Sequence, residues 1–268
     1  MIPLSFAQRR LWFLHHLEGP SATYNLPLVL RLTGDLDRRA LAAALNDVVG
    51  RHESLRTVFP DIDGIPHQHI LDQAHVEPVT VEAAPDEVSG LVGEAVRRTF
   101  DLAVDLPIRA SLFVVSPAEY VLVVVVHHIA GDGWSLRPLA SDLATAYAAR
   151  RQGQAPAWEP LPVQYADYTL WQHEVLGDPD DPDSLQARQL AYWTTTLTGL
   201  PEQLPLPADR PRPPVASHRG RTVSFTIDPA THHGLNHLAR THHASLFMVI
   251  HAALAATLTR IGAGTDIP

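Results

Sequence analysis

Residues 121–126, VLVVVV, are six consecutive apolar residues, five of them β-branched, and they lead directly into two adjacent histidines, His127 and His128. Such a run packs as a β-strand, and it is far too short to cross a membrane. The continuation IAGDGWS sets Gly131 and Gly133 on either side of Asp132, followed by Trp134 and Ser135. Neighbouring side chains of a strand point to opposite faces, so the two imidazoles are expected to part. One enters the packed interior and the other an opening. Both glycines are expected where a Cβ would clash in a sharp bend. Asp132 is placed to bond backbone amides of the turn, or to cap a helix beginning near Trp134, with Ser135 a second cap candidate. A histidine held at a strand end serves as a general base or accepts a hydrogen bond from an incoming nucleophile. A satisfied core histidine beside an Asp-Gly turn is the bland reading. The conjunction of strand, paired histidines, glycine turn and carboxylate favours function.

The rest of the chain alternates helices and strands. Helices are expected over residues 5–17, 37–51 (with Asp37 as N-cap), 85–100, from just after Gly133 to Arg150-Arg151, over 163–176, 185–197 and 245–258. Strands are expected over 26–32, 108–115, 120–126 and 221–227, and a hairpin turn at DIDG, residues 61–64. The acidic, proline-containing stretch 177–184 reads as a linker. Hairpins among alternating elements point to mixed α/β (α+β) layers. The last residues, TDIP, are a poor place for a domain to finish, so a truncated piece is expected.

Composition narrows the function classes. With 268 residues the chain can form one large domain or two smaller ones. Twenty basic against 29 acidic residues leave a formal net charge of −9, which argues against a nucleic-acid partner. Cysteine is absent, so disulfides and thiolate metal sites are excluded. The first ten residues do not form a signal peptide, no membrane association is expected, and a cytoplasmic location is. Sixteen histidines invite a metal reading, and His233 with His237 would share a helix face. No HExxH and no carboxylate at ligand spacing accompany them, so exposed helix residues are the expectation. GxSxG, P-loop and GxGxxG patterns are missing, which argues against a serine hydrolase and against nucleotide binding.

Four ordered segments carry a resemblance. LSFAQRRLWFL (residues 4–14), RHESLRTVF (51–59, with Arg51 and Arg56), VVHHIAGDGWS (125–135) and YADYTLWQ (165–172) resemble, in order, the first four motifs of condensation domains of nonribosomal peptide synthetases. PADRPRPPVASHRG (207–220) is similar to a segment of members that join L-donors to L-acceptors. The resemblance implies a fold of two lobes like chloramphenicol acetyltransferase. Residues 1–177 would be the N-terminal lobe with the active-site motif, 178–220 a linker and connecting helix, and 221–268 the beginning of the C-terminal lobe. It implies amide formation between a donor acyl or peptidyl thioester and an acceptor aminoacyl thioester. Each substrate would arrive on the phosphopantetheine arm of an upstream or downstream carrier domain, with an adenylation domain adjacent. No cofactor or metal is bound by the domain itself. His128 is implied as the catalytic residue, with His127 facing away as support. Asp132 would hold the turn and orient the lobes through an arginine of the second lobe, expected beyond residue 268. Gly133 or a nearby N–H would stabilise the oxyanion. Arg51, Arg56, Gly131, Trp134 and Ser135 are motif residues. The fragment alone is expected to be inactive. Epimerisation domains share HHxxxDG, but the DGWS continuation and the 51–59 match favour condensation. A non-catalytic recruitment module of the same fold would be expected to carry a degraded motif.

Overall fold

The computed structural model describes residues 1–201, 203–214, 220 and 222–267. It divides into two compact units, Met1–Gln186 and Ala187–Pro268.

The first unit is built on a four-stranded sheet. β1 (Ile2–Pro3) and α1 (Phe6–Glu18) open the chain, followed by β2 (Asn25–Thr33) and α2 (Arg38–Arg51). A 3₁₀ turn (Glu53–Arg56), β3 (Thr57–Val58), β4 (Asp61–Ile62), β5 (Ile65–Ile70), β6 (Val79–Glu82) and α3 (Val88–Arg97) come next. Then follow β7 (Ile108–Ser116), β8 (Glu119–His127), α4 (Leu136–Arg150) and α5 (Tyr165–Leu176). The main sheet has the order β2-β8-β7-β6, with β6 parallel to β7 and the other pairs antiparallel. β8 is central and is buried from Tyr120 to His127. Its two side-chain rows supply two cores. Tyr120, Leu122, Val124 and Val126 pack with α2 and α4 residues such as Leu45, Val48 and Leu143. Val121, Val123 and Val125 pack with Leu11 of α1, with Phe59 and Phe100, and with the partly buried face of α3. A strand covered on both faces can be apolar throughout, which explains the unbroken valine run.

Local signals place most elements. Ser5 caps α1 in a capping box with Gln8, and Asp37 caps α2 by accepting from the Arg39 and Ala40 N–H groups. The DIDG hairpin turns on Asp63 and Gly64, both at positive φ (53° and 79°), as a two-residue turn between β4 and β5 requires. A smaller sheet joins β1, β5 and β3, with β4 also on β5.

Two expectations are corrected, and one strand is additional to them. The helix expected over 85–100 is confined to Val88–Arg97. The four-residue β6, three β-branched residues and Glu82, is too short to stand out in the sequence and pairs in parallel with the β7 edge. Of the strand expected over 221–227, the described residues 222–227 form no part. Arg221 lies outside the described residues, and residues 222–227 join no ladder among them, leaving Val223 and Phe225 exposed. Alternation makes a segment suitable for a strand, but only a neighbouring strand makes it one.

The second unit contains most of α6 (Leu185–Thr196), then α7 (Pro229–Thr241) and α8 (Leu246–Arg260), which pack on each other. Asp228 caps α7, with Pro229 at its first position, and Ser245 caps α8. His233 and His237 are exposed on α7. Among the described residues no single helix is long and apolar enough to cross a membrane.

Candidate active site at the end of the central strand

β8 delivers its two histidines to opposite faces. His127 pairs with Asn25 and continues the row of Val121, Val123 and Val125. It is buried, with ring centroids 5.8 Å from Phe100 and 6.4 Å from Tyr24. Its Nδ1 accepts the Ile129 N–H at 3.1 Å, so the neutral ring carries its hydrogen on Nε2. Burial, reinforced by the nearby His15 and His128, pushes its pKa down to about 4.

His128 turns the other way. Its backbone N–H donates to the Tyr24 carbonyl at 2.8 Å, and its Nδ1 lies 2.8 Å from the Gly131 carbonyl oxygen. A carbonyl only accepts, so Nδ1 carries the hydrogen, and in the neutral ring Nε2 holds the lone pair. The adjacent imidazoles are therefore opposite tautomers. Among the described residues nothing bonds His128 Nε2, and it is not buried.

His128 lines a cavity of about 390 Å³ at the edge of the α2/α4 face. Leu11, Leu26, Leu55, Val126 and Leu139 supply apolar wall, and Arg10, His52, Asp132 and Tyr165 supply polar groups. Tyr165, at the start of α5, places its hydroxyl 2.9 Å from Ser5 Oγ, and burial raises its pKa. An apolar concavity with few polar groups is the usual form of a small-molecule site.

The glycine turn divides into parts with different duties. Asp132 Oδ1 accepts from the Ser135 N–H (2.9 Å) and hydroxyl (2.7 Å), while Ser135 Oγ accepts the Asp132 N–H at 3.0 Å. The Ser135 hydroxyl bond, more than anything else, holds the Asp132 carboxyl below its ordinary pKa. The bonding of turn amides by Asp132 is thus observed, its reciprocal bonds with Ser135 having the form of a capping box just ahead of α4, while a cap by Ser135 itself is not. Asp132 and Ser135 close a turn with each other, and Ser135 itself has helical angles and no side-chain cap bond. A Cβ on Gly131 would meet Ser135 Cβ at 3.2 Å, a tight contact that the glycine avoids. Gly133 is different: a Cβ there meets open space and its φ is not positive, so the expected clash is absent. Gly133 and Trp134 do not line the cavity, and Trp134 is 86% exposed.

Arg51 and Arg56 stand behind the wall. Arg51 Nε donates to Asp142 Oδ2 of α4 at 3.1 Å and its Nη1 to the Glu159 carbonyl at 2.8 Å, while the guanidinium lies over the Trp158 ring. Arg56 bonds the Leu71 carbonyl and Glu53 Oε1. His52 and Tyr165, which carry no expected site role, lie in the cavity wall within the 51–59 and 165–172 motifs. The adjacency of His52 to Arg51 was the signal available.

A family model described as the condensation domain matches residues 1–268. The chain belongs to the condensation domain family. Condensation domains form amide bonds in nonribosomal peptide synthetases, alongside carrier and adenylation domains. The chain is 61% identical, over its whole length, to part of the "Probable non-canonical nonribosomal peptide synthetase (NRPS) CymA" of Salinispora arenicola. It is 60% identical, again over its whole length, to part of the dimodular nonribosomal peptide synthase of Bacillus subtilis. It spans 3% and 11% of those proteins. Among solved structures, the X-domain of teicoplanin biosynthesis in complex with OxyB superposes with a TM-score of 0.90 at 41% identity, over 98% of this chain and 57% of that one. The expected chloramphenicol acetyltransferase-like fold of condensation domains is thereby met.

Proposed function

We propose that this condensation domain joins a donor acyl or peptidyl thioester to the amine of an acceptor aminoacyl thioester. Each is carried on the phosphopantetheine arm of a separate carrier domain, upstream and downstream. The acceptor nitrogen attacks the donor carbonyl carbon, a C–N bond forms, and the C–S bond breaks. The proton shed by nitrogen passes to His128 Nε2 and then to the departing thiolate, so the product stays on the acceptor arm. One observation carries the reading: the Gly131 carbonyl fixes the His128 tautomer and leaves a lone pair on Nε2, in a residue that lines the cavity. Holding amine and thioester in line supplies much of the rate. His127, low in pKa and buried, stays neutral and supports the strand end. Asp132 is a turn and orienting residue, and Arg51 and Arg56 support the cavity wall.

L-configured donor and acceptor are the proposed subtype, from the proline-rich segment 207–220. Its residues 215–219 lie outside the described residues.

The test is peptide formation by the intact synthetase module with both carriers loaded. His128→Ala is expected to lower dipeptide yield by about 10²–10⁴-fold, with unchanged melting temperature and carrier binding. Near-normal yield overturns the assignment. The likeness to the X-domain favours a second reading, recruitment of a partner protein without chemistry. Wild-type module that yields no dipeptide but retains a partner protein on this domain would support it. A free base at the cavity serves condensation and has no use in recruitment.

A further inference from the structure

The cavity that His128 lines has an apolar part and a polar part. Leu11, Leu55, Val126, Ile129 and Leu139 line it and are all buried. Its two charged side chains, Arg10 and Asp132, are exposed, and the Asp132 carboxyl is taken up by Ser135. His52 turns its Nε2 to Asp142 at 2.7 Å. The buried wall therefore offers no partner to a second charge and none to a string of amides. A carboxylate or ammonium side chain, or the amides of a phosphopantetheine arm, would lose water there without compensation. An aliphatic or aromatic side chain loses nothing, and its entry removes apolar area from water on both surfaces.

We infer that this wall is the pocket for the acceptor's side chain, and that the acceptor aminoacyl group is apolar. The inference rests on the condensation reading and deepens it. In that reading the acceptor nitrogen lies within hydrogen-bond reach of His128 Nε2. The acceptor side chain leaves the carbon bonded directly to that nitrogen, so it stays beside His128. The donor side chain stands one bond further off, beyond the carbonyl. His128 and Ile129 line one cavity with Leu55 of the 3₁₀ turn and Leu139 of α4, so the wall begins next to the base.

Two small residues limit the size of the guest. Ala7 of α1 and Ser54 of the 3₁₀ turn both line the cavity. Ala7 is exposed, and among the described residues nothing bonds the Ser54 hydroxyl, so neither side chain supplies a bond to the fold.

The test uses the intact module with its acceptor carrier loaded from a chosen aminoacyl-phosphopantetheine donor, so that the adenylation domain's own choice plays no part. Dipeptide kcat/KM is the readout. Leucyl and aspartyl side chains have nearly the same shape and differ in charge. Leucyl is expected to exceed aspartyl by about 100-fold or more, and alanyl by about tenfold or more. The same exchange made on the donor, against a leucyl acceptor, should not reproduce this discrimination. Ser54→Phe narrows the pocket and should move the leucyl-to-alanyl ratio about tenfold or more towards alanyl. Ala7→Phe, at an exposed position of α1, should move it in the same direction and decides the matter if Ser54→Phe does not fold, as judged by a thermal melt. Equal rates for leucyl and aspartyl acceptors overturn the inference. So does a leucine preference confined to the donor, or an unchanged leucyl-to-alanyl ratio in the folded variants. Each of these leaves the condensation reading standing. No dipeptide from any pair of substrates sinks that reading, and the pocket with it.

Discussion

The carbonyl of Gly131 fixes the tautomer of His128 across 2.8 Å, and Gly131 is also the residue whose missing Cβ lets Ser135 approach. One position therefore sets both the turn and the base. Gly131→Ala is expected to push Ser135 by a few tenths of an ångström and disturb the His128 bond, lowering peptide formation by about tenfold. Gly133→Ala faces open space and should retain activity within about threefold and melt within ~1 °C of wild type, as surface changes do. Equal losses in the two variants would refute the division of labour. The measurement is a carrier-loaded condensation assay beside a thermal melt.

Asp132 acts on the turn through two bonds from Ser135. Asp132→Ala removes both and should lower stability by about 1 kcal/mol, read as a melting decrease of about 2–4 °C in a unit of this size. Asp132→Asn keeps a carbonyl acceptor in place and should melt close to wild type. If the asparagine variant melts as low as the alanine one, the charge rather than the turn geometry is what matters.

His127 makes stability depend on pH. Its folded pKa of about 4 lies below the ordinary 6.5, so the unfolded chain binds more protons between those values. Stability from this residue is full above pH 6.5 and is lost as pH falls towards 4, amounting to ~3 kcal/mol over the window. Denaturant melts of wild type at pH 7 and pH 4.5, compared with His127→Gln, should show a smaller pH-dependent loss in the variant. An identical loss in both would show that His127 titrates normally in the fold.

Arg51 ties α2 to α4 and to the loop before α5 with two donors and a stacked face. Lysine keeps the charge but not the fork or the stack. Arg51→Lys is expected to destabilise by about 1–3 kcal/mol, visible in thermal denaturation. An unchanged melting temperature would show that charge alone suffices.

The sequence by itself determined much of the frame. The valine run could only be a strand, the caps at Ser5 and Asp37 and the Asp63-Gly64 turn are short-range chemistry, and strand parity parted His127 from His128. The caps, the turn and the strand parity depend only on residues near in sequence, and the valine run on their side-chain type, although its ladder is made with β2 and β7. Tertiary structure decided what depends on distant partners. β6 exists because β7 offers an edge, and residues 222–227 form no strand because no described segment offers them one. His128 rather than His127 faces the cavity because α1 and α3 cover one side of β8, with Phe100 against His127, while α4 and the 3₁₀ turn leave space on the other. His52 joins it only because Asp142, 90 residues away, lies 2.7 Å from its ring. Side-chain periodicity is a local property of the backbone. A cavity is the space left between elements, and no stretch of sequence contains it.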